Sequence, residues 1–298
     1  MSIAAAEAKE LETEQASGLY RDALSRLLRN KAAMVGVVVL VLFVLAALFA
    51  PLLTQHDPNV RVGPLASNPE GPTAQHWFGL DEQGRDFYAR VIYGTRLSLL
   101  VGVVSVAVGL SLGLVLGALA GYFRGWVDST IMRAMDLMLA VPAFLLAIAL
   151  VTVLGRGLFQ IMIAVGIVNV PIFARLLRGS ILGNRETDYV LAARSLGTPG
   201  HRILFTHLLP NSIAPVIVQA TLAMATAIIE VAGLSFVGLG PADPRFPEWG
   251  RMLADNANRL DQSVHLVFFP GFAIVLSVLA LNLIGDGLRE AIDPKLKD

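Results

Sequence analysis

Few side chains in this sequence are equipped for chemistry, and three carboxylates touch its apolar stretches: Asp136, Glu230 and Asp286. Asp136 follows Arg133 by three residues and Asp286 precedes Arg289 by three, the spacing of neighbours on one helix face. Each is therefore expected to sit in an ion pair near a membrane surface. Glu230 lies well inside IIEVAGLSFVGLG, where a charge is costly and marks a functional position by default. It could be a proton relay, a substrate contact or a hydrogen-bonded structural acid. No Lys, Arg or His shares its apolar run, so the structural role is the favoured expectation.

Other chemistries are thinly supplied. The histidines His56, His76, His201, His207 and His265 are scattered, none pairs with another at i, i+4, and no metal site is expected. Cysteine is absent, which removes thiol catalysis and disulfides. No GxxxxGK[ST] occurs, so no loop cradles a nucleotide phosphate. Candidate Ser, His and Asp residues fall on opposite sides of the membrane in the topology below. The chain is expected to be no enzyme and to hold no cofactor.

The elements that must position these residues are mostly lipid-facing. Hydrophobic residues make up 55% of the 298 and charged residues 15%, against about 25% charged in soluble domains. Mean hydropathy is +0.66. Formal net charge is zero, which offers nothing to a nucleic-acid partner. Six apolar runs approach the ~20 residues needed to span a bilayer: Ala32–Leu53, Leu97–Phe123, Met135–Leu154, Leu158–Ala174, Ser212–Leu239 and Phe268–Ile284. The first follows a polar segment without a small-residue cleavage site and reads as an uncleaved anchor. With the N-terminus inside, fifteen of the 23 Lys and Arg fall on the cytoplasmic side, so both termini are expected there.

The expected organisation is all-α. Residues 1–31 form a cytoplasmic tail, acidic and alanine-rich to about residue 18, then an interfacial amphipathic helix at Leu19–Lys31. Residues 32–292 form one membrane domain with outer loops at 54–96 and 241–267, and 293–298 end the chain in the cytoplasm. Gly109, Gly113, Gly117, Gly121 and Gly125 recur at every fourth position and would let a second helix backbone approach closely. Pro142 and Pro171 are expected to bend the third and fourth spans.

Between the fourth and fifth runs, residues 175–211 are too polar to cross. Within them, LAARSLGTPGHRILFTHLLPN (191–211) is well punctuated. Asp188 can cap a helix running through YVLAARSL to Leu196, and Gly197 can terminate it in the left-handed conformation. Thr198 and Pro199 suit the start of a second helix, with Gly200 following, and Pro210 would stop it before the next span. Ala192, Ala193 and Gly197 would give the first helix a small-residue surface for another protein. Capping alone does not separate a docking element from an ordinary loop.

This stretch resembles the coupling loop of ABC-importer permeases. Ala192, Ala193, Gly197, Leu209 and Pro210 match in register, while Leu191 stands where the family has Glu and His207 takes an Ile position. LLRNKAAMVG, FGLDEQGRDFYARVIYGTRLSL, GLSFVGLG and GDGLREAIDPKLK extend the likeness over nearly the whole chain, to the C-type subunit of the dipeptide/oligopeptide permease family. The resemblance implies a type I importer fold with six transmembrane helices and a cytoplasmic coupling helix-turn-helix in the bacterial plasma membrane. It further implies a B-type permease as heterodimer partner, two ATPase domains carrying ATP and Mg, and an extracytoplasmic solute-binding protein. On that resemblance, Leu191, Ala192, Ala193, Ser195, Gly197, Thr198, Pro199, Gly200, Leu209 and Pro210 meet the ATPases. Peptides are the expected cargo; nickel chelates or glutathione carried by the same machinery, and an ion-coupled carrier acting alone, are the alternatives.

Overall fold

The computed structural model describes residues 24–65, 69–241 and 243–292. The tail at 1–18, the first part of the amphipathic helix at 19–23 and the C-terminal 293–298 lie outside the described residues, while 24–29 are helical. Helices dominate what is described; isolated bridges at Arg61–Arg85 and Leu80–Asp86 are the extended pairings among the described residues.

Five helical elements are long and apolar enough to cross a membrane. They are α1 (Lys31–Leu48), α3 (Phe87–Phe123), α6 (Leu158–Asn184), α10 (Ala214–Leu234, prolonged by a π turn at Ser235–Leu239) and α12 (His265–Ile292). A sixth crossing would come from α4 (Gly125–Ala140) and α5 (Ala143–Leu154), which meet at 96°. The expected span Met135–Leu154 is thus corrected: it is the end of one helix and the whole of another. The cause is Pro142, which pushes Val141 into the extended region (φ −93°, ψ 132°) and is itself extended. Pro171, by contrast, stays inside α6.

Other boundaries shift for identifiable reasons. The first run breaks at Phe49 and resumes as the short α2 (Ala50–Leu53), because Pro51 has no N–H for the Ala47 carbonyl. Arg96 fills that role, donating from Nε to the Ala47 oxygen and from Nη2 to the Leu48 oxygen at 3.2 Å. The second helix starts at Phe87 with Asp86 as its cap (Oδ1 accepts from the Ala89 amide, 2.8 Å), so the outer loop ends well before Arg96. The fourth runs on past Ala174 to Asn184, since Arg175 and Arg178 on its polar side have acidic partners on α4. Arg178 grips Asp128 with two nitrogens, Nη2 at 2.6 Å, and Arg175 pairs with Asp136. The expected Asp136–Arg133 pair is therefore replaced, and no Asp286–Arg289 pair forms among the described residues.

The main packing seam joins α3 to α6. A methyl group added to Gly109 would stand 2.7 Å from the Gly166 carbonyl oxygen, and one on Gly117 2.6 Å from that of Ala174. Gly113 meets Phe173 and Val170, and Gly121 meets Ile181 at 3.0 Å. Contact numbers rise together along both helices, so they run parallel. Dispersion and backbone proximity hold such a seam in lipid, where burying apolar surface gains nothing. Gly125 departs from the series: it opens α4 at φ +64° and faces open space. On the opposite flank α1 and α12 run antiparallel: a methyl group on Gly36 would stand 2.6 Å from the Ala280 oxygen, and Asn30 Nδ2 donates to Glu290 Oε2 at 2.6 Å. The core between these seams contains Val165, Phe173, Leu177, Ile181, Ala227 and Val231.

Candidate functional site

At the end of the bundle where α3 finishes and α6 runs out, the stretch expected to be the coupling loop folds as two helical pieces about a glycine. Helix α7 (Asp188–Ser195) ends at Leu196, and Gly197 adopts φ +74°. The Gly197 amide donates to the Arg194 oxygen (2.9 Å) and the Thr198 amide to the Ala193 oxygen (3.1 Å), the paired bonds of a Schellman motif. A residue other than glycine would carry a Cβ penalty in that conformation.

The caps differ from those expected. Thr187, not Asp188, precedes α7; its hydroxyl donates to the Asn184 oxygen (2.6 Å), and Asp188 sits in the first turn, where its charge suits the helix dipole. Pro199, not Thr198, holds the cap position of α8 (Gly200–Ile203), whose Ile203 amide donates to the Pro199 oxygen at 3.1 Å. Pro210 does not stop the second piece. A π turn at Leu204–Leu208 widens the backbone ahead of it, and α9 (Leu209–Ser212) continues to Ile213. The wider turn lets the ring pass a carbonyl that a regular helix would drive into it.

The element is anchored on one face and open on the other. Val190, Ala193, Ile203, Leu204 and Leu208 are buried in the main core, so Ala193 belongs to the anchoring face and not to a surface for another protein. Ala192, Ser195, Gly197, Pro199 and Pro210 are exposed, with Leu191; Thr198, Gly200 and Leu209 are half-buried. Two apolar side chains that capping arguments did not single out stand furthest out: Leu196 is 86% exposed and Phe205 66%. Tyr122 at the end of α3 packs on Gly200, its carbonyl accepts from Arg185 Nη1 (3.0 Å), and Arg124 meets Glu186 at 3.3 Å. Partial burial, then the Arg124 and Arg194 cations, lower the Arg185 pKa below its ordinary value. The open face is thus apolar at its tips, cationic at its flanks, and tied rigidly to the parallel seam.

Glu230 lies on α10, and its Oε2 is buried with no hydrogen-bond partner among the described residues. The hydrogen bond expected of a structural acid is thus missing at this oxygen among the described residues.

The far end of the bundle carries a cap built from the loop before α3 and the loop after α10. Asp81 accepts from Arg85 Nη2 (2.7 Å) and lies 3.5 Å from Arg90 Nε; Arg85 and Arg90 both donate to the Pro244 oxygen (3.3 and 3.2 Å). Trp249, fully buried, opens α11 (Trp249–Asn256) and donates from Nε1 to the Val91 oxygen at 3.0 Å. Glu248 caps α11, accepting from the Gly250 and Arg251 amides at 2.7 and 2.8 Å; its burial raises the carboxyl pKa. The same end brings His56 and His76 onto Asp86, a convergence that i, i+4 spacing had no means of detecting.

Comparison with known proteins fits this geometry. Residues 113–298 match the family model of the binding-protein-dependent transport system inner membrane component, and residues 18–72 match that of the N-terminal TM domain of oligopeptide transport permease C. The chain is 49% identical over 283 residues to the dipeptide transport system permease protein DppC of Alkalihalophilus pseudofirmus, covering 93% of this chain and 90% of the relative. It is 45% identical to the di/tripeptide permease DppC of Pseudomonas aeruginosa (90% of both chains) and 43% to the glutathione permease GsiD of Pectobacterium atrosepticum (93% and 92%). The fold is also that of a subunit of the MetNI methionine ABC transporter in an inward-facing conformation: TM-score 0.59 at 19% identity, over 70% of this chain and 98% of the other. On these terms the chain, a polytopic helical bundle, belongs to the dipeptide/oligopeptide branch of ABC-importer permeases, a family of transport subunits and not of enzymes.

Proposed function

We propose that this chain imports di- or oligopeptides across the bacterial plasma membrane as one half of a permease heterodimer with a B-type subunit. ATP hydrolysis on two partner ATPase domains drives alternating access, and a solute-binding protein delivers cargo to the cap formed by the outer loops. The N- and C-termini and the coupling stretch then lie in the cytoplasm, in keeping with the excess of Lys and Arg at that end. The observation that carries the reading is the coupling stretch itself: a Schellman-capped turn with Leu196 and Phe205 outermost, fastened through Tyr122 to α3. Such an element can pass a push from outside the membrane into the α3–α6 seam without dissipating it in a loose loop. Relatives named for dipeptides, di/tripeptides and glutathione, itself a tripeptide, support a short peptide as cargo.

The test is reconstitution of this chain with its partner permease, the ATPases and the binding protein in liposomes. Uptake of a labelled dipeptide should require ATP on the coupling-stretch side and binding protein on the other. Uptake driven by a proton gradient without ATPases would overturn the proposal.

A further inference from the structure

Three potential ligand atoms from three separate parts of the chain converge on the outer cap. His56 follows α2 at the end of the first crossing, His76 lies midway through the outer loop, and Asp86 caps α3. His56 Nδ1 stands 3.3 Å from Asp86 Oδ2 and His76 Nδ1 stands 2.9 Å from the same oxygen. One ligand atom from each of the three residues lies within 4.8 Å of the other two. We propose that His56, His76 and Asp86 bind a divalent transition-metal ion of the zinc class, which clamps the outer loop to the start of α3.

The separations suit coordination. Ligands about 2.0–2.1 Å from a tetrahedral ion lie ~3.3–3.4 Å apart, and at a right angle ~2.9 Å apart. Each imidazole therefore already stands at ligand spacing from Oδ2, and an ion entering between them would draw the two rings toward one another. Two neutral imidazoles and a carboxylate are also the donor set that borderline-soft dications prefer over hard calcium or magnesium.

The carboxylate is held in advance. Asp86 Oδ1 accepts the Ala89 amide at 2.8 Å, which fixes the group's orientation and leaves Oδ2 free to face both rings. Asp86 is nearly buried, while His76 and His56 retain partial exposure (side chains 13% and 32%). Both rings line an open cavity of about 430 Å³ with Gln55, Gln75, Trp77 and Tyr88, so an ion has an entry path and space for a water as fourth ligand. Without metal, the same trio would be a pair of imidazole N–H groups sharing one carboxylate oxygen. That arrangement uses the geometry but has no need of the cavity.

The experiment is equilibrium dialysis of Zn²⁺ against the assembled transporter in nanodiscs at pH 7.5, with metal content read per permease chain. The expected result is one Zn²⁺ per chain at micromolar or lower free metal, weakened at least tenfold in His76→Ala and in His56→Ala. Asp86→Asn keeps a capping oxygen for Ala89, so its expected tenfold loss reports the lost charge and not a lost helix start. Should a histidine variant fail to assemble, the wild-type complex still decides through Ni²⁺ quenching of Trp77, the residue adjoining His76. No stoichiometric Zn²⁺ on the wild type, or binding unchanged in the double histidine variant, would overturn the proposal.

Discussion

Gly117 of α3 rides directly on Ala174 of α6: a methyl group at Gly117 would stand 2.6 Å from the Ala174 carbonyl oxygen. No rotamer relieves such a clash, because the obstructing atom is backbone. Gly117→Val is expected to part the seam and cost about 1–3 kcal/mol, as overpacking typically does. Gly179 offers the contrast. It lies on the exposed side of α6 with nothing within 4 Å of a Cβ, so Gly179→Ala should be neutral or stabilise by up to about 1 kcal/mol. Thermal unfolding of the two variants in one detergent checks the pair; equal shifts would mean the seam is slack.

That glycine ladder was readable from spacing alone, as were the centres of the apolar runs. Helix ends were not, because a window of hydropathy stops at the first cluster of charge. Arg90 and Arg96 sit inside α3 since backbone carbonyls and Asp81 receive them, and Arg175 and Arg178 sit inside α6 since α4 supplies Asp136 and Asp128. Pro142 and Pro171 look alike in sequence, yet one breaks its helix at 96° and the other is accommodated within α6. The coupling stretch was visible through Gly197, whose need for a left-handed backbone is local. Its outermost side chains, Leu196 and Phe205, depend on which face the core takes, and capping chemistry says nothing of that. His56 and His76 converge through a loop closure that no periodicity encodes.

Glu230 carries the second prediction. A buried oxygen without a partner costs free energy, commonly about 1–3 kcal/mol, and an apolar side chain of similar size removes that cost. Glu230→Met should therefore raise the unfolding midpoint of the isolated subunit. If Glu230 serves transport, the same variant should lose uptake while gaining stability. A fall in the midpoint would reveal that the acid is satisfied within the chain after all.

Glu248 predicts a pH dependence. Burial holds its folded pKa above the unfolded value, so its contribution to stability is fully present below the unfolded pKa and lost as pH rises through the raised one. The midpoint of the wild type should decline over a window beginning in the ordinary carboxylate range and extending above it. Glu248→Gln keeps an acceptor for the amides of Gly250 and Arg251 but does not titrate, and should flatten that decline. A steeper slope in the variant would assign the titration elsewhere.

The coupling stretch predicts a separation of folding from function. Gly197 holds φ +74°, and open space surrounds the position of its missing side chain. Gly197→Asp thus meets no atom of its own chain, and its cost in stability is the backbone penalty of about 1–2 kcal/mol for a left-handed residue. An aspartate among the exposed Leu196, Ser195 and Pro199 would still place a charge where an approaching partner must pack. Insertion and heterodimer assembly should survive, while ATP-driven uptake falls by tenfold or more. Because the chain has no native cysteine, Leu196→Cys supplies an independent probe of the same surface. It should crosslink to an ATPase subunit in the assembled complex, and Gly197→Asp in the same background should reduce that yield. Full uptake in Gly197→Asp, or labelling of Leu196→Cys only by reagents added outside the cell, would remove this stretch from the path of force.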